Sequence, residues 1–177
     1  VFVIGDYTAR IGDPAGRSAT RQALTSTQAC ENSQAYFDQA YTILDKEKTE
    51  IHLQSEWYDS MNLERFLALI SSVTYSRLME HDTFSRRVSE GESLGLQEMI
   101  YPLLQAYDSV VLDADVELGG ADQRFNFVLT RDVQRSFGQP PEEVILTKYL
   151  PGIDGHEKMS KSMRNTIDLN DPASEMF

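Results

Sequence analysis

The sequence has 177 residues, enough for one domain with a sizeable core, and its 41% hydrophobic and 25% charged residues are ordinary globular proportions, which excludes a disordered, collagenous or disulfide-stapled chain. Sixteen Lys and Arg against 28 Asp and Glu leave a net charge of -12, so the average surface repels phosphate backbones and anionic membranes, and any contact with nucleic acid must be local. A single cysteine, Cys30, has no partner for an internal disulfide, which fits a reducing, cytoplasmic setting, and no apolar run approaches the ~20 residues that span a bilayer.

Val1-Phe2-Val3-Ile4-Gly5 reads as a short strand buried on both faces, followed by a Gly/Pro/Ser-rich loop from Ile11 to Ser18. From Thr27 onward Phe37, Ala40, Tyr41 and Leu44 recur at helical spacing, and Lys46 to Lys48 suit the carboxyl end of that helix. Ile51 to Gln54 reads as a strand. Phe66, Leu69, Ile70 and Val73 predict a second helix capped by Asn62, and Ser76 to Glu90 predicts a third on the surface. Leu96, Met99, Ile100, Leu103, Leu104 and Tyr107 trace a fourth, with Pro102 marking a kink or its start. Val110-Val111-Leu112 and Val116 to Leu118 are strand candidates. The helix after Gly120 carries Phe125, Val128, Leu129 and Val133 on one face and ends at Gly138; Val144 to Leu146 is a further strand. Strands alternating with helices predict an α/β domain with a mostly parallel sheet, whose ligands lie at the carboxyl ends of the strands. The chain begins inside a strand and stops at Glu175-Met176-Phe177, inside a starting helix, as expected of a piece of a longer protein.

Four strings carry chemistry. In His156-Glu157-Lys158-Met159-Ser160-Lys161-Ser162, two lysines three apart follow a turn-rich approach, Pro151-Gly152 and Asp154-Gly155. Such a loop can bring two mobile ammonium groups to a triphosphate, where charge grows on the leaving pyrophosphate as the α-phosphorus is attacked. Lys-x-x-Lys alone would be a solvated basic turn, but the whole string Lys-Met-Ser-Lys-Ser resembles the signature loop of class I aminoacyl-tRNA synthetases.

Tyr101, Gln105 and Asp108 stand at i, i+4 and i+7 and share one face of a helix, roughly opposite its apolar stripe. Read in isolation they are the wet side of an amphipathic helix. The string Tyr101-Pro102-Leu103-Leu104-Gln105-Ala106-Tyr107-Asp108 nevertheless resembles the amino-acid-binding helix of bacterial tyrosyl-tRNA synthetases. That resemblance implies that Tyr101 and Gln105 hold the α-ammonium of tyrosine and that Asp108 accepts from its phenolic hydroxyl.

Glu117-Leu118-Gly119-Gly120-Ala121-Asp122-Gln123 places two glycines at a strand end, where backbone can approach a ligand and a helix start offers amide donors. Asp122 alone could be a plain helix cap. By its likeness to the same family's Gly-Gly-x-Asp-Gln segment, Asp122 contacts the adenylate ribose, Gly120 approaches it through backbone, and Gln123 lies beside the tyrosine, as does Glu117, where many relatives carry glutamine. Gly12-Asp13-Pro14-Ala15-Gly16-Arg17-Ser18 is a turn on composition. Its similarity to the family's Gly-Asp-Pro-x-Gly segment puts Asp13 near the substrate ammonium and Arg17 and Arg21 near the ATP phosphates, with Lys158, Ser160 and Lys161 contributing to the same ATP site.

The resemblance runs from Phe2 to Phe177. It implies a Rossmann-like nucleotide-binding domain in two halves, 1–55 and 95–150, with an inserted helical segment at 56–94 that contributes to a homodimer contact, and with the lysine loop and its trailing segment at 151–177. The implied activity joins tyrosine to ATP, the latter as a magnesium complex and a substrate, with no tightly bound cofactor, and transfers tyrosine to tRNA(Tyr); no membrane or DNA partner is implied. Catalysis would rest on Lys158, Lys161 and Arg17. The family's His-x-Gly-His motif is not in these residues, nor is the tyrosine that accompanies Asp108 at the substrate hydroxyl. A tryptophanyl enzyme, a non-catalytic paralogue acting as an RNA-binding or structural module, and an unrelated nucleotidyltransferase are the rival readings. The three histidines, His52, His81 and His156, lack metal-ligand spacing, and Trp57 lacks partners for a base-stacking platform.

Overall fold

The computed structural model describes residues 1–14, 39–159, 164–169 and 171–177. Strand β1 (Phe2–Ile4) pairs in parallel with β2 (Ile51–Leu53), and β3 (Val116–Gly120) pairs in parallel with β4 (Glu143–Thr147). Among the described residues these are two separate two-stranded sheets. The parallel, α/β character expected from the sequence is present. Of β1 only Ile4 is buried, Phe2 and Val3 being half-exposed, so the strand is not enclosed on both faces.

Between the two sheets in sequence lie α1 (Ser55–Tyr58), α2 (Leu63–Ser71), α3 (Tyr75–Leu78), α4 (Asp82–Ser89) and the 17-residue α5 (Leu96–Leu112). Asn62 caps α2 as expected, its side chain accepting from the Arg65 N–H at 2.8 Å. The predicted third helix is two: the chain breaks at Met79–His81, and His81 Nδ1 caps α4 by accepting from the Thr83 N–H at 3.2 Å. Nor is it a surface helix throughout, because Leu78, His81 and Phe84 are buried. Of the first predicted helix, the portion before Gln39 lies outside the described residues; the portion after Ala40 is a series of turns, with Leu44 N–H bonded to Ala40 O at 2.8 Å.

Val110-Val111-Leu112, a strand candidate, is instead the last turn of α5. A short apolar run fits either element on pattern alone, and here it continues the buried face of Leu103, Ala106 and Tyr107 until Asp113, in the left-handed region at φ 49°, ends the helix. Pro102 lies inside α5 and is buried.

Helix α6 (Arg124–Ser136) follows β3 through a 3-10 turn at Ala121–Gln123 and stops before Gly138, which adopts φ +80°. Its buried face differs from the expected one: Val128 is exposed, while Asn126, Thr130 and Gln134 point inward beside Phe127, Leu129 and Val133. Buried polar groups need partners; Thr130 and Gln134 have them, whereas Asn126 is engaged through its Nδ2 and its Oδ1 has no hydrogen-bond partner among the described residues. Thr130 Oγ1 donates to Asn126 O at 3.0 Å, and Gln134 donates to Ala114 O at 3.0 Å and accepts from the Glu142 N–H at 2.7 Å.

The core is the α5–α6 contact, Leu103, Leu104, Ala106, Tyr107 and Val110 against Leu129 and Val133, closed by Tyr58 of α1, Leu69 of α2 and Leu78 of α3. Each large apolar side chain enclosed there contributes about 2 kcal/mol. This packing fixes α5 between the strand pairs, with Gln105 and Asp108 turned toward the strand ends.

Candidate active site

Beyond the ends of three strands, chain segments converge on α5: Asp13 after β1, Gln54 and Trp57 after β2, Asp122 and Gln123 after β3. Gln123 Nε2 donates to Asp13 Oδ2 at 2.9 Å. Asn126 Nδ2 donates both to Gln123 Oε1 at 2.9 Å and to Gln105 Oε1 at 3.0 Å, so Asp13, Gln123 and Gln105 form one connected set. Asn126 was missed by sequence reasoning; it sits one turn after Gln123 on the face turned to α5.

Asp108 is 8% exposed and holds three donors: Gln54 Nε2 at 2.6 Å on Oδ2, and Trp57 Nε1 at 3.1 Å and Tyr58 OH at 3.2 Å on Oδ1. The face of α5 that bears it is therefore no wet face. Burial pushes the Asp108 carboxyl up to about 7, against these three hydrogen bonds, which favour its ionised form. A carboxylate offers about four acceptor sites, so Oδ2, with one donor, has room for another. Tyr58 OH also reaches Leu104 O at 2.6 Å, and burial raises its pKa far above the usual phenol range. Gln54, Trp57 and Tyr58 were not singled out as site residues. The available signal was position, since Gln54 stands where β2 ends, together with the demand of an indole N–H for a partner. Trp57 does have aromatic neighbours, Tyr58 and His52, with ring centroids 6.1 and 6.4 Å away, although its N–H is committed to Asp108.

Gly119 leaves room for a ring that a larger residue would displace, and Gly120 leaves room for the Asp122 carboxyl. A Cβ on Gly119 would stand 2.5 Å from the Phe127 ring, and one on Gly120 2.4 Å from Asp122 Oδ1. Asp122 in turn meets the lysine loop: Lys158 Nζ lies 2.5 Å from its Oδ2. Burial works to raise the Asp122 carboxyl, but the hydrogen bond and charge of Lys158 outweigh it and hold the group below its ordinary value. The approach to the loop is a turn in which Pro151 bridges Lys158 and Asp154 Oδ1 accepts from the N–H groups of His156 and Glu157 at 2.9 and 3.0 Å.

Glu117 lies behind Gln105 with its carboxyl toward Glu142, and Tyr101 is half-buried one turn before Gln105 on α5. Arg17, Arg21, Ser160 and Lys161 lie outside the described residues, as does Cys30. No cluster of three or more His, Cys, Asp or Glu suited to a metal ion occurs among the described residues, and no helix there is long and apolar enough to cross a membrane.

Parallel strand pairs, a polar set joining their ends and Lys158 laid against Asp122 just before a helix define an α/β domain with a polar site at its strand ends. The chain matches the family "tRNA synthetases class I (W and Y)" over residues 1–177 and belongs to it. It is 46% identical over 177 residues to the tyrosine–tRNA ligases of Shewanella oneidensis and of Thermotoga maritima, covering all of this chain and 44% of each of those proteins. The tyrosyl-tRNA synthetase of Archaeoglobus fulgidus, solved with L-tyrosine, superimposes with a TM-score of 0.71 at 25% identity over 98% of this chain and 51% of that one. The chain thus spans less than half the length of these bacterial relatives.

Proposed function

We propose that the protein to which this chain belongs is a tyrosine–tRNA ligase, which condenses tyrosine with ATP to tyrosyl-adenylate and pyrophosphate and then passes tyrosine to the terminal adenosine of tRNA(Tyr). The observation that carries this reading is the meeting of Asp13, Gln123 and Gln105 in one hydrogen-bonded set, with the buried Asp108 one turn further along α5. Acceptors at one end of the pocket suit an ammonium group. A carboxylate with a spare acceptor site at the other suits a phenol.

In this reading Asp13, Tyr101, Gln105 and Gln123 bind the ammonium end of tyrosine, Glu117 supports Gln105, and Asp108 accepts from the hydroxyl. Asp122 binds the ribose, with Gly120 letting backbone approach it. The tyrosine carboxylate attacks the α-phosphorus and pyrophosphate leaves, so no protein nucleophile is needed. Lys158, Lys161 and Arg17 stabilise the charge that grows on the leaving group, with Ser160 and Arg21 in the same ATP site; alignment of the two substrates supplies the rest. Magnesium enters with ATP as part of that substrate.

The partners are tyrosine, ATP, tRNA(Tyr) and a second copy of the protein, in the cytoplasm. Support for the second copy comes from α2 and α3, where Leu63, Leu67 and Tyr75 are exposed, and from a hollow of about 460 Å³ lined by Leu63 with Tyr7, Met61, Phe66 and Ile100. Tyrosine-dependent exchange of labelled pyrophosphate into ATP by the full-length protein tests the reading. Exchange with tyrosine and none with tryptophan or phenylalanine is expected; exchange driven by tryptophan, or by no amino acid, would overturn it.

A further inference from the structure

A pair of carboxyls, Glu142 buried and Glu117 half-buried, lies behind the set that joins Asp13 to Gln105. Glu117, in β3, and Glu142, immediately before β4, meet in the interior. Glu142 is 1% exposed, and Glu117 Oε2 and both carboxyl oxygens of Glu142 find no well-aligned hydrogen-bond donor among the described residues. Neither residue can back away. Glu117 is registered against Val144 in the β3–β4 ladder, and the Glu142 N–H is held by Gln134 Oε1 at 2.7 Å. Two ionised carboxylates in such contact, out of water, are strongly disfavoured, whereas one proton between them supplies the missing donor.

On its other side Glu117 meets Gln105. Gln105 Oε1 already accepts from Asn126 Nδ2 at 3.0 Å, so the amide nitrogen is the end left for Glu117. We propose that Glu117 and Glu142 share one proton and that this pair is a positioning element for Gln105, keeping its nitrogen inward and its oxygen toward the ammonium group of the amino-acid substrate. Glu142, Glu117, Gln105, Asn126, Gln123 and Asp13 then form one connected set from the interior to the strand ends, with Asn126 Nδ2 donating in both directions along it. The identity of the ammonium-bearing ligand rests on the tyrosine-ligase reading; the shared proton does not.

Charges around the pair agree. Burial, and then the Glu142 carboxyl, push Glu117 up to about 9, with Asp108 from α5 adding to the rise and Gln105 opposing it. Burial raises Glu142 as well, opposed by Ser109 from α5 and by Arg131 from α6, which also lies 3.9 Å from Glu143 of β4. As pH climbs past the raised value the shared proton leaves, the two carboxylates repel, and Gln105 loses its anchor. Tyrosine binding should therefore weaken on the alkaline side.

The test uses the full-length protein with glutamate carboxyls labelled with carbon-13, alongside steady-state kinetics. One glutamate carboxyl should remain protonated through neutral pH, and that signal should vanish in both Glu117→Gln and Glu142→Gln. Either amide keeps a donor and an acceptor in the pair without a titrating proton. Glu142→Gln should hold the tyrosine KM within about threefold of wild type at neutral pH and lose its alkaline rise. Glu142→Ala, which strands Glu117, should raise the tyrosine KM about tenfold or more while the ATP KM moves little. Glutamates that all titrate in the ordinary range, with tyrosine binding intact, would overturn the shared proton. Equal damage to both KM values by Glu142→Ala and by its glutamine counterpart would mean that the pair only maintains the fold. A wild-type protein that does not bind L-tyrosine would overturn the functional reading and with it the role of Gln105, while the carboxyl titration would still decide the pair.

Discussion

Gln123 Nε2 and Asp13 Oδ2 are 2.9 Å apart across 110 positions of sequence, so the loop after β1 is tied to the turn after β3 by a charge-assisted hydrogen bond. That bond aims Asp13 into the space between the strand ends. Replacing Asp13 by Asn keeps its shape and removes the charge that an ammonium group needs. The kcat/KM for tyrosine should fall by about 10² or more, with the ATP KM nearly unchanged. Steady-state pyrophosphate exchange over a range of tyrosine concentrations measures this, and an equal fall in both KM values would point to misfolding instead.

Asp108 is the expected source of preference for a phenol. Sites that hydrogen-bond a substrate hydroxyl reject the analogue lacking it by about 10⁴–10⁵, a range for which tyrosyl-tRNA synthetase is itself the standard example. Asp108→Ala should collapse the ratio of kcat/KM for tyrosine over phenylalanine. Asp108→Asn should lower it less, since an amide oxygen still accepts. A substitution that leaves phenylalanine as strongly rejected would remove Asp108 from the pocket.

Lys158 is held against Asp122. If its work is done at the leaving pyrophosphate, Lys158→Ala should lower kcat for adenylate formation by about 10²-fold with little change in tyrosine KM, and Lys161→Ala should do the same. The Lys158 variant should also let the Asp122 carboxyl titrate at a higher pH, because its compensating cation is gone. Single-turnover kinetics and a carboxyl titration report the two effects separately.

Stability should depend on pH through two raised carboxyls. Asp108 rises to about 7 and Glu117 to about 9, so in each case the folded state holds its proton to higher pH than the unfolded chain does. The stabilisation is full below the ordinary carboxylate range. It is lost as pH rises through about 7 for Asp108 and about 9 for Glu117. Urea midpoints should fall across that window, and Glu117→Gln should flatten the upper part of the fall. A midpoint constant from pH 5 to 9 in the wild type would contradict both assignments.

The inserted helices contain an apolar set, Phe66, Leu67, Leu69, Ile70, Val73 and Leu78, that reads in sequence as one interface, with Arg65, Arg77, Arg86 and Arg87 as its rim. In the structure Leu69, 0% exposed, and Leu78 belong to this chain's own core, while Leu63 and Leu67 stand out. The arginines are engaged within the chain: Arg65 with Tyr107, Arg77 with Asp132 and Glu80, Arg86 with Glu90, Arg87 with Glu98. Leu69→Glu should therefore unfold the protein by burying a charge, at a cost of several kcal/mol. The clean test of the dimer is Leu67→Glu, which should leave thermal unfolding intact and shift sedimentation from dimer to monomer. A wild-type protein that sediments as a monomer would dismiss the contact.

Local chemistry was legible from residues alone wherever one segment carries its own instruction. Asn62 caps a helix because its side chain reaches the next turn, and Gly138 ends one because it adopts positive φ. The Lys158 loop and the Tyr101, Gln105 and Asp108 face were likewise visible, each within a few residues. What neighbours each group was not. Val110 to Leu112 looks the same as strand or helix until α6 packs against it, and the inward turn of Asn126 and Gln134 shows only once Gln105, Ala114 and Glu142 stand beside them as partners. Gln54, Trp57 and Glu142 carry no motif, and they matter because the fold brings them within hydrogen-bond reach or contact of Asp108 and Glu117 from 25 to 54 positions away. Periodicity and caps act over one helical turn, whereas a buried carboxyl takes its character from whatever donors and charges the tertiary structure sets around it.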